Sequence, residues 1–221
     1  METTATHKII RSRRRSLALV VTDEATVVVR APWRASEESI ARFLADNAEW
    51  LRRKLKEMAA RPRPQPKTFV PGEGLLFLGA SCRLRFGDGE VRLENGEVVV
   101  PSGPPSRCRL LVTNWYRQQA LRIFQERVRE RAFLMGVAYN SLRLSDAKSR
   151  WGSCSGQDSL NFSWRLVMAP LPVIDYVIVH ELAHIRHKNH STRFWALVRR
   201  FMPDYQSRRK WLTKHGHELT L

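Results

Sequence analysis

Three histidines and a glutamate in the stretch Val177-Ile-Val-His-Glu-Leu-Ala-His-Ile-Arg-His-Lys-Asn-His190 have the types and the spacing to hold a metal ion and to use it. On a helix His180 and His184 stand one above the other, with Glu181 beside them, about a quarter-turn round. Two imidazoles so placed can share one Zn²⁺ at about 2.0–2.1 Å, and the neighbouring carboxylate then falls next to a metal-bound water whose proton it can take. This is the His-Glu-x-x-His zinc signature. Ile174, Val177, Ile178, Leu182 and Ile185 recur at helical spacing, which predicts that the pair rides on an amphipathic, largely buried helix.

A catalytic zinc requires a third protein ligand and an open fourth position. His190 stands at the distance from His184 that the extended H-E-x-x-H-x-x-G-x-x-H pattern demands. Where that pattern has Gly this chain has His187, and Asn189 is then expected to make the turn out of the helix in the left-handed conformation. His187 is the rival ligand, because it shares a helical face with His180 and His184, although a turn further along; its other reading is a solvated helix-end residue. For the donor that a developing oxyanion needs, Tyr205 and His187 are the candidates.

Stepping outward from the motif, 221 residues suffice for one generous domain or two small ones. No apolar run approaches the roughly 18 residues that span a bilayer, and the N-terminus carries no apolar segment resembling a signal peptide. Cys82, Cys108 and Cys154 are odd in number and form no C-x-x-C pair, so they read as reduced thiols of a cytoplasmic protein. With 38 Lys and Arg against 21 Asp and Glu, the net charge of +17 favours acidic partners, of which nucleic acid is one; the plainer reading is a basic solvated surface. Oligomeric state is not legible from composition.

Two β-branched runs, 17–21 and 25–30, predict a hairpin, preceded by the basic cluster Arg11, Arg13, Arg14 and Arg15, which reads as a solvated edge strand or a phosphate-contacting one. Ser36 caps a helix expected over 36–60, and 61–67, rich in proline, reads as a stiff linker. Residues 68–100 predict an antiparallel meander, turned at Gly87-Asp-Gly89 and Asn95-Gly96. From Ser106 to about Gly136 a long helix should face the core with Leu111, Trp115, Leu121, Phe124, Val128 and Ala132 and back the metal helix. Runs at 141–144 and 159–167 read as strands, and Ser191 and Pro203 open two last helices. The fold class is therefore α+β: a small β-rich subdomain over 1–105 with one helix, then a zincin-like helical core with a short antiparallel sheet over 106–221.

Lys148-Ser-Arg-Trp-Gly-Ser-Cys-Ser155, Leu160-Asn161, His180-Glu-Leu-Ala-His184, Asn189-His-Ser191, Phe194-Trp195 and Met202-Pro-Asp-Tyr205 together resemble the YgjP-like metallopeptidase domain, a family related to SprT-like zinc proteases. The resemblance implies His180, His184 and His190 as zinc ligands and Glu181 as catalytic base. It also implies that the strand ending in the Trp151 segment borders the cleft and aligns an extended peptide by backbone pairing. Arg150, Trp151, Asn161 and Tyr205 are the candidate substrate-binding residues, with Arg150 or Asn161 orienting the carbonyl.

The expected function is a cytoplasmic zinc-dependent metallopeptidase that hydrolyses peptide or protein substrates by a Glu-activated, zinc-bound water. The alternatives are a basic nucleic-acid-binding protein with a structural zinc site, or a protease acting on DNA-bound proteins, the latter by analogy with SprT-like enzymes. A membrane partner is not expected.

Overall fold

The computed structural model describes residues 7–22, 26–60, 65–148 and 150–221. The chain forms two compact units, 1–63 and 64–221.

In the first unit β1 (His7–Ser12), β2 (Ala18–Val21) and β3 (Val27–Pro32) make a sheet ordered β1-β3-β2. β3 takes the centre because Val27, Val28, Val29 and Ala31 are all buried, and a strand apolar on both faces has no stable place at an edge. It pairs antiparallel with β2, as the expected hairpin requires, and parallel with β1; most of the hairpin's turn lies outside the described residues. Arg11 is a tie, not a free cation: its guanidinium donates to the carbonyl of Ala35 at 2.6 Å and to Glu37 Oε1 at 2.5 Å.

The helix expected over 36–60 is two helices, α1 (Glu37–Asp46) and α2 (Ala48–Ala59). Ser36 caps the first, its hydroxyl accepting from the Ser39 amide at 3.1 Å, an interaction worth about 1 kcal/mol. Asn47 divides them, because its side-chain amide donates to the Phe43 carbonyl at 2.8 Å and so competes with the helical ladder.

In the second unit β4 (Gly74–Phe77), β5 (Ala80–Phe86), β6 (Arg92–Glu94) and β7 (Glu97–Val100) form a sheet ordered β4-β5-β7-β6. The antiparallel meander needs correction here, since β7 runs parallel to β5 and separates it from β6. The reason is burial: Val98, Val99 and Val100 are fully buried, whereas all three residues of β6 are exposed and belong at an edge. Asn95 and Gly96, both at positive φ (49° and 78°), make the tight β6–β7 turn.

α3 (Pro105–Met135) ends at Gly136, which adopts the left-handed conformation (φ 61°). Trp115, Phe124, Val128 and Ala132 are buried as expected, but Leu121 is 38% exposed. β8 (Ser141–Ser145), β9 (Gly152–Cys154) and β10 (Ser159–Ser163) form a third sheet, ordered β8-β10-β9. It is mixed, where the expectation was antiparallel: β10 pairs parallel with β8 and antiparallel with β9. The run expected to stay extended to 167 turns at Trp164–Met168 into a 3₁₀ segment, fastened by the Trp164 indole N–H donating to Asp146 at 2.6 Å.

α4 (Leu171–Arg186), α5 (Thr192–Phe201) and α6 (Tyr205–His215) complete the unit, the last followed by a 3₁₀ turn. Ser191 caps α5 by accepting from the Phe194 amide. No described helix is long and apolar enough to cross a membrane.

Within the unit 64–221, residues on both sides of residue 105 share one core. Phe69, Leu75, Leu84 and Val98 belong to the same buried cluster as Trp115, Phe124, Ile178 and Leu182. The Tyr116 hydroxyl donates to the Leu76 carbonyl at 2.6 Å, and Gly79 lies so close to Pro170, at the entry to α4, that a Cβ would meet it at 2.7 Å.

Candidate metal centre

α4 is the innermost helix of its unit, buried from Val173 to Val179 and again at Leu182 and Ala183. Its apolar faces leave one polar stripe, on which His180, Glu181 and His184 fall by helical spacing. After Arg186 the chain leaves the helix at His187 in an extended conformation (φ −133°, ψ 98°), so neither a glycine nor a left-handed Asn189 makes the turn. The exit loop brings His190 back over the stripe, and the Ser191 cap begins α5 at once.

The outcome is a triad. One ring nitrogen from each of His180, His184 and His190 lies within 4.8 Å of the other two. The Nε2 atoms of His180 and His190 are 3.0 Å apart. Phe194, fully buried on α5, underlies the group, with its ring centre 4.9, 4.5 and 4.8 Å from those of His180, His184 and His190. The Trp195 ring stacks on His190 at 5.7 Å. His187 is not part of the cluster; its carbonyl accepts from His184 Nδ1–H at 3.0 Å. That bond leaves the Nε2 lone pair of His184 for the shared centre.

Burial sets the electrostatics. It pushes His180 down to about 3, helped by the neighbouring His184 and His190, so its ring is neutral throughout the physiological range. His184 is lowered by the same desolvation. Glu181 is 6% exposed, and burial raises its carboxyl to about 7 while the charge of Arg150 pulls the other way. Three imidazoles converging on one point and a carboxylate of raised pKa beside them are a donor set that fits a borderline-soft divalent cation.

The site opens into a cleft of about 330 Å³ bordered by the three histidines, Glu181, Gly152, Ser153, Cys154 and Lys188. Glycine at 152 makes room for Glu181: a Cβ there would meet the Cγ and Oε1 of Glu181 at 2.7 Å and displace that side chain. Cys154 is a free, half-buried thiol whose pKa burial raises, the wrong direction for a nucleophile.

The other candidate residues fall in different places. Arg150 and Trp151 lead into β9, the first exposed and the second packed against Gly216. Asn161 sits on the central strand β10 opposite Ser153, away from the cleft lining, with its Oδ1 buried and unpartnered among the described residues. Tyr205 is buried behind Trp195, on which it stacks at 5.3 Å, and it does not line the cleft.

Two contributors escaped the sequence reading. Lys188 lines the cleft, its ammonium donating to Asp158 at 2.5 Å and to the Ser155 carbonyl at 3.2 Å. Asp175 is 4% exposed on α4 and is gripped by Arg127 at 2.8 Å and Arg131 at 2.6 Å from α3. A carboxylate outside the motif in a largely apolar helix and two arginines four residues apart were the available signals; only packing showed that they meet.

The molecule is thus a mixed α+β protein whose innermost helix presents a His-Glu-x-x-His stripe completed by a third imidazole, a group that could hold a metal ion. It belongs to the YgjP-like family: the model of the YgjP-like metallopeptidase domain matches residues 15–215, nearly the whole chain. Among solved structures, the metallopeptidase zymogen jannalysin of Methanocaldococcus jannaschii is 19% identical with a TM-score of 0.37, over 41% of this chain and 93% of that one. The metallopeptidase zymogen abylysin of Pyrococcus abyssi is 18% identical with a TM-score of 0.38, over the same shares. No curated protein matches the chain.

Proposed function

We propose that the protein is a zinc-dependent metallopeptidase with His180, His184 and His190 as ligands and Glu181 as general base. One observation carries the reading: three imidazoles and a buried, basic carboxylate converge on the floor of one cleft. In this reading the second unit has a zincin-like core. Zinc, when bound, would supply a Lewis acid for the scissile carbonyl and make water more acidic.

The chain's own groups do the rest. Glu181 takes a proton from the attacking water and delivers it to the departing amine, a task suited to a carboxyl near 7. Gly152 leaves that carboxylate the space a Cβ would fill. β9 is an edge strand of its sheet, and its outer backbone groups can pair with an extended peptide, as edge strands do. A structural zinc in a nucleic-acid-binding protein is the weaker reading, because structural sites are closed by a fourth protein ligand and this triad faces a cleft. A cytoplasmic setting belongs to the proposal, in keeping with three free cysteines.

The test is metal content by elemental analysis, with hydrolysis of an unstructured protein substrate followed in parallel. Wild type should carry about one zinc per chain, lose it on chelation together with activity, and regain both with added zinc. Glu181→Gln should keep the zinc and lose activity by at least about 10³-fold, whereas His190→Ala should lose the metal and His187→Ala keep it. A Glu181→Gln protein that hydrolyses like wild type would sink the mechanism.

A further inference from the structure

One cation lines this cleft, and two more stand close to residues that line it. Lys188 lines it beyond the end of α4, held by Asp158 and the Ser155 carbonyl. Arg150 is exposed two residues before Gly152, whose backbone lies against the Glu181 carboxylate. Arg209 of α6 sets its guanidinium 5.3 Å over the Trp195 ring, itself centred 5.7 Å from the rings of His180 and His190.

Carboxylates do not balance them. Asp158 is committed to Lys188, and Glu181 is buried and taken as the base. Among the described residues Arg150 and Arg209 have no carboxylate partner. Arginines left unpaired beside a cleft are available to an incoming carboxylate, which a guanidinium receives in bidentate geometry.

We infer that the cleft selects peptides bearing Asp or Glu close to the scissile bond, with Arg150 and Arg209 receiving the acidic side chain. The inference rests on the peptidase reading and names its substrate class. Lys188 keeps its own partner, Asp158. Recognition of this kind acts through long-range attraction, so it weakens as salt rises.

Binding separates this inference from the reading beneath it. Zinc-loaded, full-length Glu181→Gln protein is titrated into dye-labelled peptides of equal length carrying two Glu, two Gln or two Lys, and anisotropy is read at low and moderate salt. The Glu peptide should bind about tenfold tighter than the Gln peptide at low salt, with the Lys peptide weakest, and the preference should shrink with salt. Adding Arg150→Gln and Arg209→Gln together should erase most of it. Equal affinities, absence of binding, or a preference untouched by the two arginines overturns the inference. So does a short single-stranded oligonucleotide that outcompetes the Glu peptide, since phosphate would then be the favoured anion. Wild type that hydrolyses Glu and Gln peptides equally well keeps the peptidase and discards the selection; an acidic preference in binding with no hydrolysis by wild type does the reverse.

Discussion

In the first unit β3 lies between β1 and β2, parallel to one and antiparallel to the other; in the second unit β10 lies between β8 and β9 in the same way. Both sheets also have a helix against the antiparallel edge strand, α2 on β2 and α4 on β9. They differ in what that edge strand is made of. β2 is Ala-Leu-Val-Val, half-buried throughout, and the helix over it buries none of its residues fully. β9 is Gly-Ser-Cys, and without a side chain at Gly152 a carboxylate from α4 occupies the space a Cβ would need. The same wiring yields a packed wall in one case and a site in the other, according to the volume of a few edge side chains.

Filling that space should have the largest effect. Gly152→Ala must displace the Glu181 side chain, and a shift of about 1 Å in a catalytic group costs on the order of 10²-fold in rate. The expected result is a kcat down by about that factor with zinc content unchanged, against a Val20→Ala variant on β2 that loses about 1 kcal/mol of stability and no activity. Equal activity in the Gly152→Ala and Val20→Ala proteins would erase the distinction between the two edges.

Next in size is the tie that holds α4 to α3. Asp175→Asn leaves Arg127 and Arg131 facing a neutral amide in a site where the carboxylate is nearly buried, and should cost about 2–4 kcal/mol in chemical denaturation. A loss below about 0.5 kcal/mol would mean that α3 and α4 are held by their apolar contacts alone.

The smallest effect concerns Asp146, just past β8. Its carboxyl is held below the ordinary value by the Trp164 indole N–H first, and then by Arg165 and Arg117. A carboxyl depressed in the folded state contributes stability above its unfolded value, near 3.8, and loses it as pH falls through the lower folded value. Asp146→Asn should therefore melt below wild type at pH 7 and converge with it in strong acid. A difference in melting temperature that stays constant down to strong acid would assign the loss to geometry, not charge.

How much of this was legible in the sequence depends on the range of the interaction. The helix of the motif, its buried faces and the caps at Ser36, Ser191 and Gly136 are local signals, and they appear where the periodicity and the capping residues put them. Strand pairing was misread in two sheets because parallel neighbours are joined through residues far apart in the chain, while turn signals such as Asn95-Gly96 report only hairpins. Asn161 and Tyr205 belong to motifs of the family and yet stand outside the cleft lining. A motif shows that positions go together without showing which side of a strand or ring faces the cleft.

Residue type and helical spacing by themselves determined that His180, His184 and Glu181 would share a stripe on a buried helix, since 3.6 residues per turn admits no other arrangement. The tertiary structure alone decided the rest of the centre. It turned His187 away through a hydrogen bond from His184 to its carbonyl, returned His190 over the stripe, and laid Phe194 beneath all three rings. It also brought a bare glycine from a distant strand against Glu181 and buried that carboxylate until its affinity for a proton rose. These are effects of packing and desolvation between segments remote in the chain, and no local pattern encodes them.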